Sequence, residues 1–180
     1  MNDLDLERYC SQSVERGATH AKQIHPSTVI TAPWVRMKCQ FGCINFNKSY
    51  CCPPDSPTPD LTRAIIDSYY RAVLFHIEAP KTKDRTNRYR KFLKTLRDLE
   101  GEMFKDGYYK ALVFLCGPCN LCKECEKQKG NPCTFGSIAR PSMEACGIDV
   151  YQTARNNGFF IEPLRERNET HNSYGLMLVD

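Results

Sequence analysis

Long apolar runs are missing from this chain. Nothing in its 180 residues approaches the ~20 consecutive apolar positions needed to cross a bilayer, so the sequence predicts no transmembrane segment. The opening residues, MNDLDLERYCSQSVERG, are polar and of mixed charge with no apolar h-region. They predict no secretory signal and therefore a cytoplasmic location. A dinucleotide fingerprint, a phosphate-binding glycine loop and a Ser-His-Asp set are also missing, which removes three common enzyme classes. There is no internal repeat and no low-complexity stretch. With 41% hydrophobic and 26% charged residues, the chain reads as one globular domain over residues 1–180. That length can bury a core, so metal need not be the only thing holding the fold.

What the chain has in excess is cysteine. There are 11, an odd number, and a reducing compartment disfavours disulfides, so metal binding or catalysis is the better explanation for closely spaced ones. Cys10 stands alone and reads as a small buried hydrophobe. The strongest spacing is Cys116-Gly-Pro-Cys119-Asn-Leu-Cys122-Lys-Glu-Cys125, followed by Cys133 after Pro132. Cysteines at successive intervals of three let a looping backbone turn each thiolate inward. The run is close to the bacterial ferredoxin pattern without matching it. Gly117-Pro118 and Asn131-Pro132 favour an irregular ligand loop over a helix. Zinc ribbons separate two C-x2-C pairs by ~15–20 residues, whereas here the second pair follows at once. Iron–sulfur is therefore the expected metal chemistry, with zinc the alternative.

A second group is Cys39-x3-Cys43 with the adjacent pair Cys51-Cys52 before Pro53-Pro54. Neighbouring side chains diverge, so one of the pair is expected to be a bystander, which leaves three thiolates. The fourth position could be filled by Cys51, Cys116 or Cys146, by a non-cysteine ligand, or by nothing, the last giving an open iron. His20 or His25 could equally complete a Cys3His zinc site. His76, inside an apolar run, reads as a satisfied core histidine.

Hydrophobic periodicity supplies the elements. Asp84 to Lys105 carries one apolar stripe at three- and four-residue spacing and stops at Gly107. Tyr70–Ile77, Tyr108–Leu115 and Ser173–Val179 read as strands, as does about Trp34 to Lys38. Thr58-Pro59-Asp60 opens a helix through Ser68, and Pro141 to Asn157 reads as another, stopped by Asn156-Asn157-Gly158. The expected fold is α/β or α+β, a single mixed central sheet flanked by helices, with two cysteine-rich metal loops at one sheet end. Ser142 and Glu144 read as helix-start residues, with Arg140 the alternative contact for a cluster sulfur or an anion. From Lys81 to Arg97 eight basic residues face one acid, Asp84. That stretch is the solvated face of a helix or a docking patch for an acidic redox partner. Nucleic acid is disfavoured, because Tyr89 and Phe92 read as core positions.

These motifs resemble a known family. CQFGCINFNKSYCCPPDSP is similar to the N-terminal signature of the predicted metal-binding proteins called domain of unknown function 2284, and GPCNLCKEC, NPC and ARPSMEACGIDV are similar to its C-terminal signature. The resemblance implies ligation by Cys39, Cys43 and Cys52 at one site and by Cys119, Cys122, Cys125 and Cys133 at the other. Cys51, Cys116 and Cys146 stand outside that pattern. The expected function is that of a protein carrying two [4Fe–4S] clusters, for electron transfer or cluster-based redox chemistry; a zinc-stabilised interaction module is the alternative.

Overall fold

The computed structural model describes residues 4–166 and 168–180. Its centre is a four-stranded sheet in the order β1-β2-β4-β3, made of β1 (His20–Ile24), β2 (Ala72–Ala79), β3 (Leu112–Phe114) and β4 (His171–Leu178). Of the two classes the sequence leaves open, the structure takes α+β. Every ladder is antiparallel rather than mixed. The helices are α1 (Leu4–Glu15), α2 (Pro33–Gly42), α3 (Pro59–Ile66), α4 (Arg85–Lys105) and α5 (Val150–Asn156).

β2 and β4 occupy the middle of the sheet and are covered on both faces, which is why their sequences are apolar runs instead of alternations. On one face Val73, Phe75, Ile77 and Met177 pack under α1 and α4, against Leu6, Tyr9, Phe92, Leu93, Leu96 and Leu99. On the other, Ala72, Leu74, Leu176 and Leu178 meet Ile66 of α3, Ala154 of α5 and the Met143–Ile148 segment. α4 matches its expected span, with Asp84 at its N-cap and Gly107 at φ +100 just beyond its end. α3 begins at Pro59, with the Thr58 hydroxyl accepting from Leu61 N at 3.3 Å.

Other elements differ from expectation, each for a local reason. Trp34–Lys38 lies in α2, not in a strand. Pro33 sits at the first helical position, where its fixed φ suits a helix, and only Val35 of α2 is buried. The strand expected over Tyr108–Leu115 contracts to Leu112–Phe114, because Tyr108–Ala111 turns back, with Ala111 N donating to Tyr108 O. The helix expected over Pro141–Asn157 is broken into a short 3-10 turn, Glu144–Cys146, and α5. The break is Gly147, at φ +78. α1 and the edge strand β1 were not visible in the periodicity. The β1 residues, HAKQI, are largely polar, and only Ile24 is buried.

The break at Gly147 is sterically fixed. A Cβ there would lie 2.5 Å from Pro59 Cγ and 2.9 Å from Pro59 Cβ. Gly130 has a similar φ of +76 with nothing within 4 Å of such a Cβ. Gly147→Ala is therefore expected to cost about 3 kcal/mol, adding overpacking to left-handed backbone strain, and Gly130→Ala about 1 kcal/mol, from strain alone. Urea denaturation of the two variants checks this, and equal losses would show that Pro59 yields.

Candidate metal centre

Six of the eleven cysteines line one cavity between two loops. The first loop leaves α2 and holds Cys51 and Cys52. The second follows Leu115, whose N–H donates to Pro141 O at 2.9 Å and whose carbonyl accepts from Met143 N at 2.9 Å. The loops are laced together by Lys127, which donates to Asn47 Oδ1 at 2.7 Å and pairs with Asp55, and by Tyr50 OH, which donates to Asn131 O at 2.7 Å. All eleven cysteines are free thiols.

Cys119, Cys122, Cys125 and Cys133 line one cavity of about 130 Å³. Cys51 and Cys52 line it as well. The Cys51 thiol is hydrogen-bonded to Cys119, which raises Cys51, with burial adding to the effect, and lowers Cys119. Cys119 also accepts from the backbone N–H of Leu121 and feels the Arg97 guanidinium. Arg97 is itself held below its ordinary value by burial and is otherwise compensated first by Cys119, then by Asp98. One member of the basic stretch therefore faces the cysteine loop rather than solvent.

Cys39 and Cys43 are one helical turn apart, at the end of α2 and at its C-cap, so both project on the same side. Burial raises the Cys39 thiol first, with the Cys43 charge next and Cys52 a smaller influence. Burial also raises Cys52, which feels Cys43 on one side and Cys119 on the other. Cys51 is hydrogen-bonded to Cys119, whereas Cys52 feels the charge of Cys43 as well as that of Cys119. Both thiols of the adjacent pair line the one cavity that holds Cys119.

Cys116 and Cys146 sit in the two hydrophobic cores, where burial pushes each thiol up to about 12. Cys10 packs half-buried against the first core, its thiol pushed up by burial to about 11, as a lone space-filling cysteine should be. Neither His20 nor His25 lines a cysteine cavity. His25 Nδ1 accepts from Ser27 N at 3.2 Å, capping the 3-10 turn Pro26–Thr28. His20 faces His76 across the β1–β2 ladder, their Nδ1 atoms 3.2 Å apart. His76 is buried, bonded through Nε2 to Asn172 Oδ1 at 2.8 Å and stacked on Tyr174, which satisfies it as a core histidine. With Glu78 these two histidines form a cluster whose donor atoms lie within 4.8 Å of one another, a consequence of register that periodicity could not disclose.

Arg140 does not face the cysteines. Its Nε donates to Glu100 Oε1 at 2.9 Å, and the same oxygen accepts from Val113 N at 2.9 Å, joining α4 to β3. Ser142 Oγ accepts from Ala145 N at 3.1 Å and Asp149 Oδ1 from Gln152 N at 2.9 Å, both as helix-start residues.

The family described as predicted metal-binding protein (DUF2284) matches residues 22–179. The chain belongs to this family. No curated relative and no solved structure matches it. The DUF2284 match spans both cysteine loops and the sheet except for the first two residues of β1, and metal binding is the property its members are described by.

The group that joins the two loops to the rest of the DUF2284 fold is Arg36 of α2. Its NH1 lies 2.9 Å from Ser56 Oγ, 2.9 Å from Pro57 O and 2.8 Å from Ala145 O. Arg36→Met should keep the aliphatic stem and lose these bonds, taking the guanidinium donor from the Ser56 and Pro57 carbonyls while Ala145 O keeps only its bond from Ser56 Oγ. The expected cost is about 2–3 kcal/mol. Lys91→Met, on the exposed face of α4, should change stability by less than about 0.5 kcal/mol. Paired thermal melts check the contrast, and an unshifted Arg36 variant would remove the clamp from the account.

Proposed function

We propose that this protein is an iron–sulfur protein with two cysteine-ligated centres, one at Cys119, Cys122, Cys125 and Cys133 and one at Cys39, Cys43 and Cys52. The observation that carries the reading is one 130 Å³ cavity lined by six free thiols, the four of the first centre together with Cys51 and Cys52, and by no histidine. A structural zinc ion takes four ligands in a tetrahedron, so a thiol surplus around one small cavity suits a polynuclear cluster better. The residues present fit such a group chemically. Cys119 is already biased toward thiolate by the Cys51 hydrogen bond, and backbone N–H and guanidinium groups face its sulfur, the kind of surroundings that stabilise an anionic centre.

When bound, iron–sulfur clusters supply one-electron transfer, and an iron lacking a protein thiolate adds an exchangeable position. The chain's own contribution is to hold the thiols, exclude water and set the charge around them. Cys52 lines the cavity of the first centre and feels the charges of both Cys43 and Cys119, which supports two neighbouring sites. That proximity favours passing electrons between them. Lys81, Lys83, Arg88, Arg90, Lys91 and Lys94 stay exposed along α4 and the turn before it, which favours docking of an acidic redox partner there. A reducing cytoplasm is the compartment in which the thiols would persist.

Protein purified without oxygen should be brown and carry about four to eight irons with matching acid-labile sulfide per chain. Cys122→Ser should lower both by about half, and Cys10→Ser should change neither, because a lone packing thiol contributes no ligation. Metal analysis and visible absorption read the outcome. A colourless protein with stoichiometric zinc would sink the reading, and equal iron loss in the two variants would overturn the ligand assignment.

A further inference from the structure

A second cavity, much larger than the one the cysteine loops enclose, lies beside it. It measures about 950 Å³, at the upper end of the range for small-molecule sites, and opens between α2, the start of α4, α5 and the first residues of β4. Cys39 and Cys43 stand on its wall. Six thiols converge on only about 130 Å³ in the neighbouring cavity, so holding a cysteine-bound group does not account for a space this large.

Its wall combines an apolar and aromatic body with unpaired cations. Trp34, Val35, Tyr151, Ile148 and Ile161 supply the body. Lys38, Arg85 and Arg155 supply the charge, and among the described residues none of the three has a carboxylate within ion-pair distance. Each is instead held in place by a neutral group. Lys38 Nζ lies 5.0 Å from the Trp34 ring centroid. Arg85 donates to the carbonyls of Pro80 and Glu169, both at 3.0 Å. Arg155 donates to Ile161 O at 3.1 Å and lies over Tyr151. Positioned but unneutralised guanidinium and ammonium groups are what recognition of a carboxylate or phosphate requires.

Two carboxyl groups share the wall. Asp149 is engaged as the cap of α5. Glu144 lies deep, beside the Cys39 sulfur, which sits 4.0 Å from the Glu144 carbonyl oxygen. The wall therefore carries three cations against one carboxyl not already engaged as a helix cap. Asn172 and Ser173, at the start of β4, add neutral polar groups to the wall.

We propose that this cavity binds a small organic anion, a carboxylate or phosphate carried on an apolar or aromatic body, with its anionic group at Lys38, Arg85 and Arg155 and its body directed toward Cys39 and Cys43. The binding reading stands whether or not those cysteines hold metal. If they do, the bound molecule is the one their chemistry would reach.

The test is calorimetric titration of the anaerobically purified protein with phenylacetate, phenyl phosphate and the neutral benzyl alcohol, with metal content measured on the same samples. At least one of the two anions should bind about tenfold or more tightly than the alcohol, and the preferred anion identifies the headgroup. The double variant Lys38→Gln, Arg155→Gln should weaken that anion about tenfold or more, and Lys105→Gln, at the far end of α4, should leave it unchanged. Absence of binding by both anions at millimolar concentration, equal binding of the alcohol, or an unaffected double variant would overturn the proposal. Normal metal content alongside any of these failures would sink the anion site and leave the metal reading intact.

Discussion

A single guanidinium holds the functional half of this protein together. Arg36 projects from α2 into a set of backbone oxygens contributed by two other segments, the Ser56–Pro57 turn and the Glu144–Cys146 turn. Ser56 Oγ completes the junction by donating to the same Ala145 carbonyl at 2.7 Å. These carbonyls belong to irregular chain, where no ladder can satisfy them, so a long side chain with several donors takes that place. Because α2 carries Cys39 and leads directly to Cys43, fixing α2 against the Glu144–Cys146 turn also fixes where those two thiols stand. The same cation moderates the rise of the Cys39 and Cys146 thiols, which connects the structural clamp to the electrostatics of the site.

That dependence explains which parts of the structure were legible in the sequence. β2, β4 and α4 were readable because each buries residues in the order its own backbone repeat dictates, and tertiary context only confirms the pattern. α2 was not, because a window of five residues, WVRMK, alternates as well as a strand does, and the deciding residue, Pro33, precedes it. The segment from Pro141 to Asn157 has helical periodicity on both sides of Gly147. Only the approach of Pro59, from a helix more than eighty residues earlier, requires the chain to turn there. α1 places Leu6, Tyr9 and Ser13 in the core at helical spacing, but its polar remainder masks the stripe.

The candidate site was legible to a different depth. Spacing and resemblance together named the cysteines, and the structure brings Cys119, Cys122, Cys125 and Cys133 to one cavity. What spacing could not carry was that Cys51 and Cys52 both line that cavity, since this depends on how the first loop lies against the second. Nor could it carry Arg97. In sequence that residue is the last of a basic stretch; in the fold, helical rotation turns it away from its exposed neighbours and toward Cys119 and Cys51. A charge run on a helix is one feature in sequence and two in space, because successive cations point around the whole circumference.

The two cavities, finally, differ in a way that separates holding from recognising. The smaller is lined by thiols and enclosed by two loops that Lys127 and Tyr50 lace together, so its wall is committed to its own cysteines. The larger has Cys39 and Cys43 on its wall and is otherwise walled mainly by helices α2 and α5 and the start of β4, elements fixed by the Arg36 clamp and by the hydrophobic cores. A cavity built on such elements keeps its shape when its contents change, which suits a molecule that must enter and leave. Among the described residues, the three cations on its wall have no carboxylate within ion-pair distance. The chain sets them on the wall of a large cavity and anchors each through neutral groups, an arrangement that leaves their charge available to an anionic ligand.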